Sequence, residues 1–362
     1  MAEKSSLISN KGALIIGFFI ASALLTIFVP KEDEEATEQP QTTTQQPAPG
    51  SEEFAKYEAD LLKELEENPS FSQSSDSKVT EENQAVVNKV IEQDPYQELD
   101  NMIGLDSVKA EVKSLANYIR LTKEREAKGL KSPNISYHCV FSGNPGTGKT
   151  TVARILARIY KDLGVVSKGH LVETDRNGLI GAYVGQTGPK TNALIDSALG
   201  GVLFIDEAYG LLDDSGYGDE AIATLLKRME DDRDDLVVIV AGYTEEMKNF
   251  INANPGLQSR FTRYIDFPDY TAEELFKIFM ARAKPYQMQL SMDAAKRLMA
   301  GLNSAVAKKS RTFGNGRYVR NLFEMSVTSM ANRLSSKGNV SSEDISTITE
   351  ADIDYAFKQV KM

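Results

Sequence analysis

Apolar runs alternate along the middle of the chain with stretches in which apolar positions return every three or four residues. The runs at 138–142, 202–205 and 237–241, and a more polar one at 171–174, predict strands. Where the apolar run is unbroken, the strand is expected to be buried on both faces. The stretches at 108–128, 150–163, 190–198 and 221–231 predict helices. Strands alternating with helices imply a parallel sheet covered on both sides. Beyond Thr271 the spacing is helical almost throughout, and Thr271 with Glu274 and Thr349 with Asp352 match helix-starting capping boxes. The pattern therefore predicts an α/β domain over 96–270 followed by a small all-α domain over 271–362.

A different texture precedes this. From Gly12 to Val29 there is no charge, and Lys11 and Lys31 bracket the run. Its length almost reaches across a bilayer core of roughly 30 Å. Residues 1–30 are thus expected to form a membrane anchor through 12–29; the competing readings are a cleaved signal peptide, because Ala21-Ser22-Ala23 resembles a cleavage box, and a buried core helix, for which the flanking sequence offers nothing to pack against. Residues 31–95 are expected to be an acidic, low-complexity linker. Between Lys31 and Asp100 there are 19 acids and 5 bases, a balance of −14 against −11 for the whole chain. With +1 on residues 1–30, the remainder carries about +2. A nearly neutral body without a basic cluster argues against nucleic acid as a partner. Within the linker, residues 52–68 have helical spacing and are expected to form a transient helix. Cys139 is the single cysteine, which excludes an intrachain disulfide.

The motifs that carry chemistry fall at the ends of the predicted strands. Gly143-Asn144-Pro145-Gly146-Thr147-Gly148-Lys149-Thr150 matches G-x-x-x-x-G-K-[ST] in full and lies between a strand and a helix that continues from Thr151. Glycines let backbone N–H groups close around phosphate oxygens, and the helix N-terminus adds partial positive charge. Lys149 brings a point charge and Thr150 a hydroxyl for Mg²⁺, so ATP and Mg²⁺ are the expected cofactors. Asp206 follows the run 202–205, where ligands bind in open α/β sheets, and Glu207 beside it can activate water. The run 237–241 leads to Tyr243 and Thr244, either of which can sense a terminal phosphate. Arg260, Arg317 behind Gly314 and Gly316, and the glycine-punctuated segment holding Tyr183, Val184 and Gly185 complete the candidates. The histidines, His138 and His170, are expected to be structural.

The order of these elements resembles the AAA+ ATPases, and more closely the CbxX/CfxQ group, which includes red-type Rubisco activases and sporulation protein K-like ATPases. The resemblance implies a P-loop NTPase sheet with a C-terminal helical lid. It implies that Lys149, Thr150, Asp206 and Glu207 act on the phosphates, Mg²⁺ and water, and that Ile103 and Gly104 lie by the adenine. Arg260 would be a trans-acting finger, Arg317 a lid arginine, and Tyr183 a pore residue in a hexameric homo-oligomer that grips a protein substrate. The apolar segment and acidic linker depart from the soluble activases. Together these imply a membrane-tethered, ring-forming ATPase that remodels or threads a protein partner, with its ATPase domain in an ATP-containing, cytoplasmic compartment. A nucleotide-switched assembly factor with slow turnover is the alternative.

Overall fold

A computed structural model describes residues 94–133, 136–212 and 216–361. The expected anchor at 12–29, the helix at 52–68 and nearly all of the linker lie outside these residues. The chain enters through α1 (Pro95–Asp100) and α2 (Asp106–Ala127) and then alternates: β1 (Cys139–Gly143), α3 (Lys149–Asp162), β2 (Leu171–Thr174), α4 (Arg176–Leu179), α5 (Thr187–Ala198). It continues through β3 (Gly201–Ile205), α6 (Tyr217–Asp231), β4 (Leu236–Gly242), α7 (Thr244–Asn252), α8 (Pro255–Arg260) and β5 (Arg263–Phe267).

The five strands pair in the order β2-β3-β4-β1-β5, every pair parallel. The three strands read as continuous apolar runs, β1, β3 and β4, occupy the middle and are buried along their whole length. Helices cover the faces: α3 buries Val152, Ile155, Leu156, Ile159 and Tyr160. On the other side Leu203, Ile205, Val238 and Val240 pack with Ile195, Leu225, Met229 and Phe250. Each such side chain contributes about 1.5–3 kcal/mol over leaving it in water. Because β1, β3 and β4 run parallel and in register, with Ser142 opposite Gly242 and Ile205 opposite Val240, their C-terminal ends deliver Gly143, Asp206 and Tyr243 to one edge of the sheet.

The remainder is α9 (Ala272–Ala283), β6 (Gln289–Leu290), α10 (Met292–Ala307), α11 (Asn315–Ser335), α12 (Ser342–Ser346), β7 (Thr347–Ile348) and α13 (Glu350–Gln359). Both expected capping boxes form, at Thr271 with Glu274 and at Thr349 with Asp352. Asp352 is fully buried and pairs with Arg333 at 3.0 Å, tying α13 to α11.

Several expectations are corrected. β5 is a strand that the sequence pattern did not predict, and β6 and β7 form a short parallel pair inside the helical region. The helix expected at 190–198 begins at Thr187, because Pro189 sits in its first turn, where no backbone donor is needed. The single-pass membrane localisation is also corrected: no helix among the described residues is long and apolar enough to cross a membrane.

Candidate nucleotide-binding cleft

The turn from β1 into α3 needs left-handed backbone at three points, and glycine occupies each: Gly143 at φ +145, Gly146 at φ +72 and Gly148 at φ +97. A side chain at Gly143 would collide with the Phe267 carbonyl oxygen of β5. Gly148 caps α3 without a side-chain hydrogen bond, so the first-turn donors of this helix are not used up by a cap. Lys149 folds back over the loop, its Nζ donating to the carbonyls of Gly143 at 2.8 Å and Asn144 at 2.9 Å. Burial pulls its ammonium down to about 8; Arg317 works in the same direction, against Asp206 and Glu207.

Not every loop side chain faces the same way. Gly143, Pro145, Gly146, Gly148, Lys149, Thr150 and Thr151 line a cleft of about 370 Å³. Thr147 is fully buried and donates to the Asn144 carbonyl at 2.8 Å, bracing the turn. Asn144 reaches away from the cleft to Asp269, 2.8 Å from its Oδ1.

Opposite the loop lie Asp206, Glu207 and Tyr243. Asp206 is held at the end of β3, its N–H donating to Thr174 of β2 at 2.8 Å. Of the two sensor candidates Tyr243 lines the cleft, its ring 6.0 Å from that of Tyr209, whereas Thr244 opens α7. Tyr209 is pushed up to about 12, by burial first and then by the carboxylates around it, Glu207 foremost. Ile103 lines the entrance with Met102. Gly104, at φ +60, lies against the Glu274 carboxylate rather than among the lining residues.

Tyr270 and, from the helical region, Ile278, Arg282, Arg317 and Arg320 close the remaining side. Sequence reasoning found only Arg317 among these. Arg320 was legible in principle, three residues further along the same helical face. Ile278 and Arg282 share a face of α9 by the same spacing, but nothing local says that this face looks onto a cleft.

Two candidates stand apart from the cleft. Arg260 ends α8, with its guanidinium 3.5 Å from Glu230 Oε2 on α6, and its carbonyl accepts from Ser136 at 2.5 Å. Tyr183 and Val184 project from the loop before α5 at 72% and 84% exposure, the most solvent-exposed of the large apolar side chains among the described residues. Gly185, at φ +78, has open space where a side chain would be.

Residues 139–269 match the ATPase family associated with various cellular activities (AAA), and residues 271–362 match the AAA lid domain. Stage V sporulation protein K of Bacillus subtilis is 41% identical over 71% of this chain and 80% of its own length. Protein CbbX of Cereibacter sphaeroides is 44% identical over 71% of this chain and 84% of its own. The CfxQ homologue of Galdieria sulphuraria is 42% identical over 72% of this chain and 87% of its own. The chain belongs to the CbxX/CfxQ group of AAA ATPases. As such it is an ATP hydrolase. Among solved structures, the FIGL-1 AAA domain in complex with ADP shares the fold of this AAA ATPase at a TM-score of 0.54 and 19% identity, over 79% of this chain and 93% of that domain. In this AAA ATPase the lid match begins at Thr271, directly after Tyr270, whose hydroxyl donates to the Thr147 carbonyl at 3.2 Å.

Proposed function

We propose that this AAA ATPase works as a hexameric ring, with catalytic sites completed between subunits, and couples ATP hydrolysis to remodelling or threading of a protein partner. The observation that carries this reading is the position of Arg260. It is fixed on α8 beside Glu230 and is not among the residues lining its own subunit's cleft. An arginine outside its own cleft supports the reading of a finger that acts on a neighbour, where it would stabilise transition-state charge.

Within one subunit the roles follow from the cleft. Lys149 and the donors of the loop and of the first turn of α3 bind the β- and γ-phosphates. Glu207 orients and deprotonates the attacking water, and Tyr243 is the group that reads the terminal phosphate. Arg317 reaches in from the lid. Ile103 borders the base. The Thr150 hydroxyl and the Asp206 carboxylate face the same cleft and are hard oxygen donors of the kind Mg²⁺ takes alongside phosphate oxygens and water. Thr150 and Asp206 would hold the ion, which when bound would supply positive charge against the negative charge of the phosphates. The exposed pair Tyr183-Val184 is the grip on the partner chain.

The test is ATP turnover by the full chain against protein concentration, with Arg260→Ala in parallel. Specific activity is expected to rise with concentration, and the folded variant to lose on the order of 10³-fold. Flat specific activity that is indifferent to Arg260 would instead support the nucleotide-switched assembly factor.

A further inference from the structure

Asp269 is the last residue of the matched ATPase segment, and its carboxylate is where the phosphate loop meets the lid. Oδ1 accepts from the Asn144 amide of the loop at 2.8 Å and from the Asn315 amide of α11 at 2.8 Å. Oδ2 pairs with Lys309, which precedes α11, at 2.8 Å. Burial works against the charge on Asp269, but these three donors outweigh it and hold the carboxyl below its ordinary range.

Asn315 is the other half of the joint. It is fully buried, sits at φ +45, and its Oδ1 accepts the Tyr270 N–H at 3.0 Å. Left-handed backbone at a residue other than glycine is uncommon, asparagine being among the residues that tolerate it, and persists where the surroundings over-determine it. Here the same amide is bonded to Asp269 and to the Phe313 carbonyl at 3.0 Å. The conformation points the start of α11 at the phosphate loop: the Gly316 N–H donates to the Gly146 carbonyl at 3.0 Å. Arg317 follows directly. At the other end of the chain of bonds, Asn144 offers its carbonyl to Lys149 and its side chain to Asp269.

We propose that Asp269 is a positioning residue for hydrolysis: through Asn144 and Asn315 it fixes the lid against the phosphate loop and thereby sets Arg317 over the cleft. Asp269 touches no reacting group itself; it acts through Arg317, and so rests on the role given to Arg317 above. The recognition element is specific. A carboxylate that receives two amides on one oxygen and an ammonium on the other has no neutral substitute that satisfies all three donors.

The experiment uses the full chain and the variants Asp269→Ala, Asp269→Asn, Arg317→Ala and the double variant Asp269→Ala with Arg317→Ala. Two quantities are read: ATP kcat and KM, and hydrogen exchange of the segment 314–318. A lid that is loose by an ångström is expected to lower kcat about tenfold to a hundredfold in Asp269→Ala, with KM changed by less than about threefold. Exchange of 314–318 should rise. The double variant should be no slower than Arg317→Ala, since a residue acting through another gives non-additive losses. Asp269→Asn, which keeps an acceptor for both amides, should recover most of the rate. Unchanged exchange in Asp269→Ala, unchanged kcat, or losses that multiply in the double variant would each overturn the proposal. Full activity of Arg317→Ala by itself would locate the failure in the role assigned to Arg317. Should Asp269→Ala not fold, Asn144→Ala cuts only the loop arm, and the same exchange and double-variant comparison decides.

Discussion

The N–H of Glu207 donates to the carboxylate of Asp206 at 3.1 Å, and Glu207 itself sits in left-handed backbone at φ +50. Strained backbone at a non-glycine residue costs on the order of 1–3 kcal/mol and tends to mark functional positions. Here the turn aims two adjacent acids into one cleft. A strand continuing in extended backbone would send adjacent side chains to opposite faces.

Glu207→Gln follows from that geometry. The substitution keeps size and the backbone turn and removes the basic oxygen. Steady-state hydrolysis should fall by roughly 10²–10⁴-fold. ATP binding, read by equilibrium titration, should stay within a fewfold of the original. Loss of binding in parallel would show that Glu207 holds nucleotide rather than water.

Lys149 gives a pH dependence with a defined sign. Its ammonium is drawn down to about 8, chiefly by burial, and bound phosphates favour the charged form. Binding therefore takes up a proton once the pH passes about 8. Affinity for ADP should be flat near neutrality and weaken about tenfold between pH 7 and 9. In Lys149→Met, affinity should be low throughout, with no step. A wild-type affinity constant across that range would contradict the buried ammonium.

The phosphate loop, the central strands and Asp206 with Glu207 were legible because each depends on neighbours in sequence. Val202–Ile205 can only be a buried strand, and the loop motif needs the strand and helix on either side. β5 escaped because the five residues Arg263-Tyr-Ile-Asp-Phe at the sheet edge set Tyr264 beside Ile265 and so blur the polar–apolar alternation that would mark a strand; Tyr264 is in fact 53% exposed. Tyr270, Ile278, Arg282 and Arg320 escaped for another reason. Their place on the cleft is set by how the lid docks, through contacts more than a hundred residues apart, such as Tyr270 with Thr147.

Gly146 is where that docking is tightest. A Cβ there would strike the Gly314 carbonyl oxygen and come within 2.7 Å of the Arg317 nitrogen, at a φ of +72 that disfavours any side chain. Gly146→Ala should wedge the lid from the loop. ATP turnover is expected to drop by about 10²-fold, the scale of an ångström misplacement. Limited proteolysis between Tyr270 and Gly316 should speed up. Unaltered turnover and cleavage would mean that the lid does not rest on the loop during catalysis.

His138 predicts the acid limb of stability. It is buried at the start of β1; its Nδ1 accepts the Val238 N–H at 2.9 Å, and its ring lies 6.1 Å from that of Phe261. Burial lowers it to about 4, with nearby Arg260 adding to the effect and a hydrogen bond to the Met229 backbone opposing it. The unfolded chain takes up this proton near the ordinary 6.5, whereas the folded chain refuses it until about 4. Between those values the unfolded state holds more protons, so stability rises with pH across that window and is independent of this group above and below it. Two and a half pH units correspond to about 3 kcal/mol. Chemical denaturation from pH 4 to 8 should show that slope in the wild type. His138→Asn keeps an acceptor for Val238 and cannot be protonated in this range; its baseline should be lower, since the ring packing is lost, but the total rise in stability across the window should shrink by about the same 3 kcal/mol. An undiminished slope in His138→Asn would assign the acid limb to other groups.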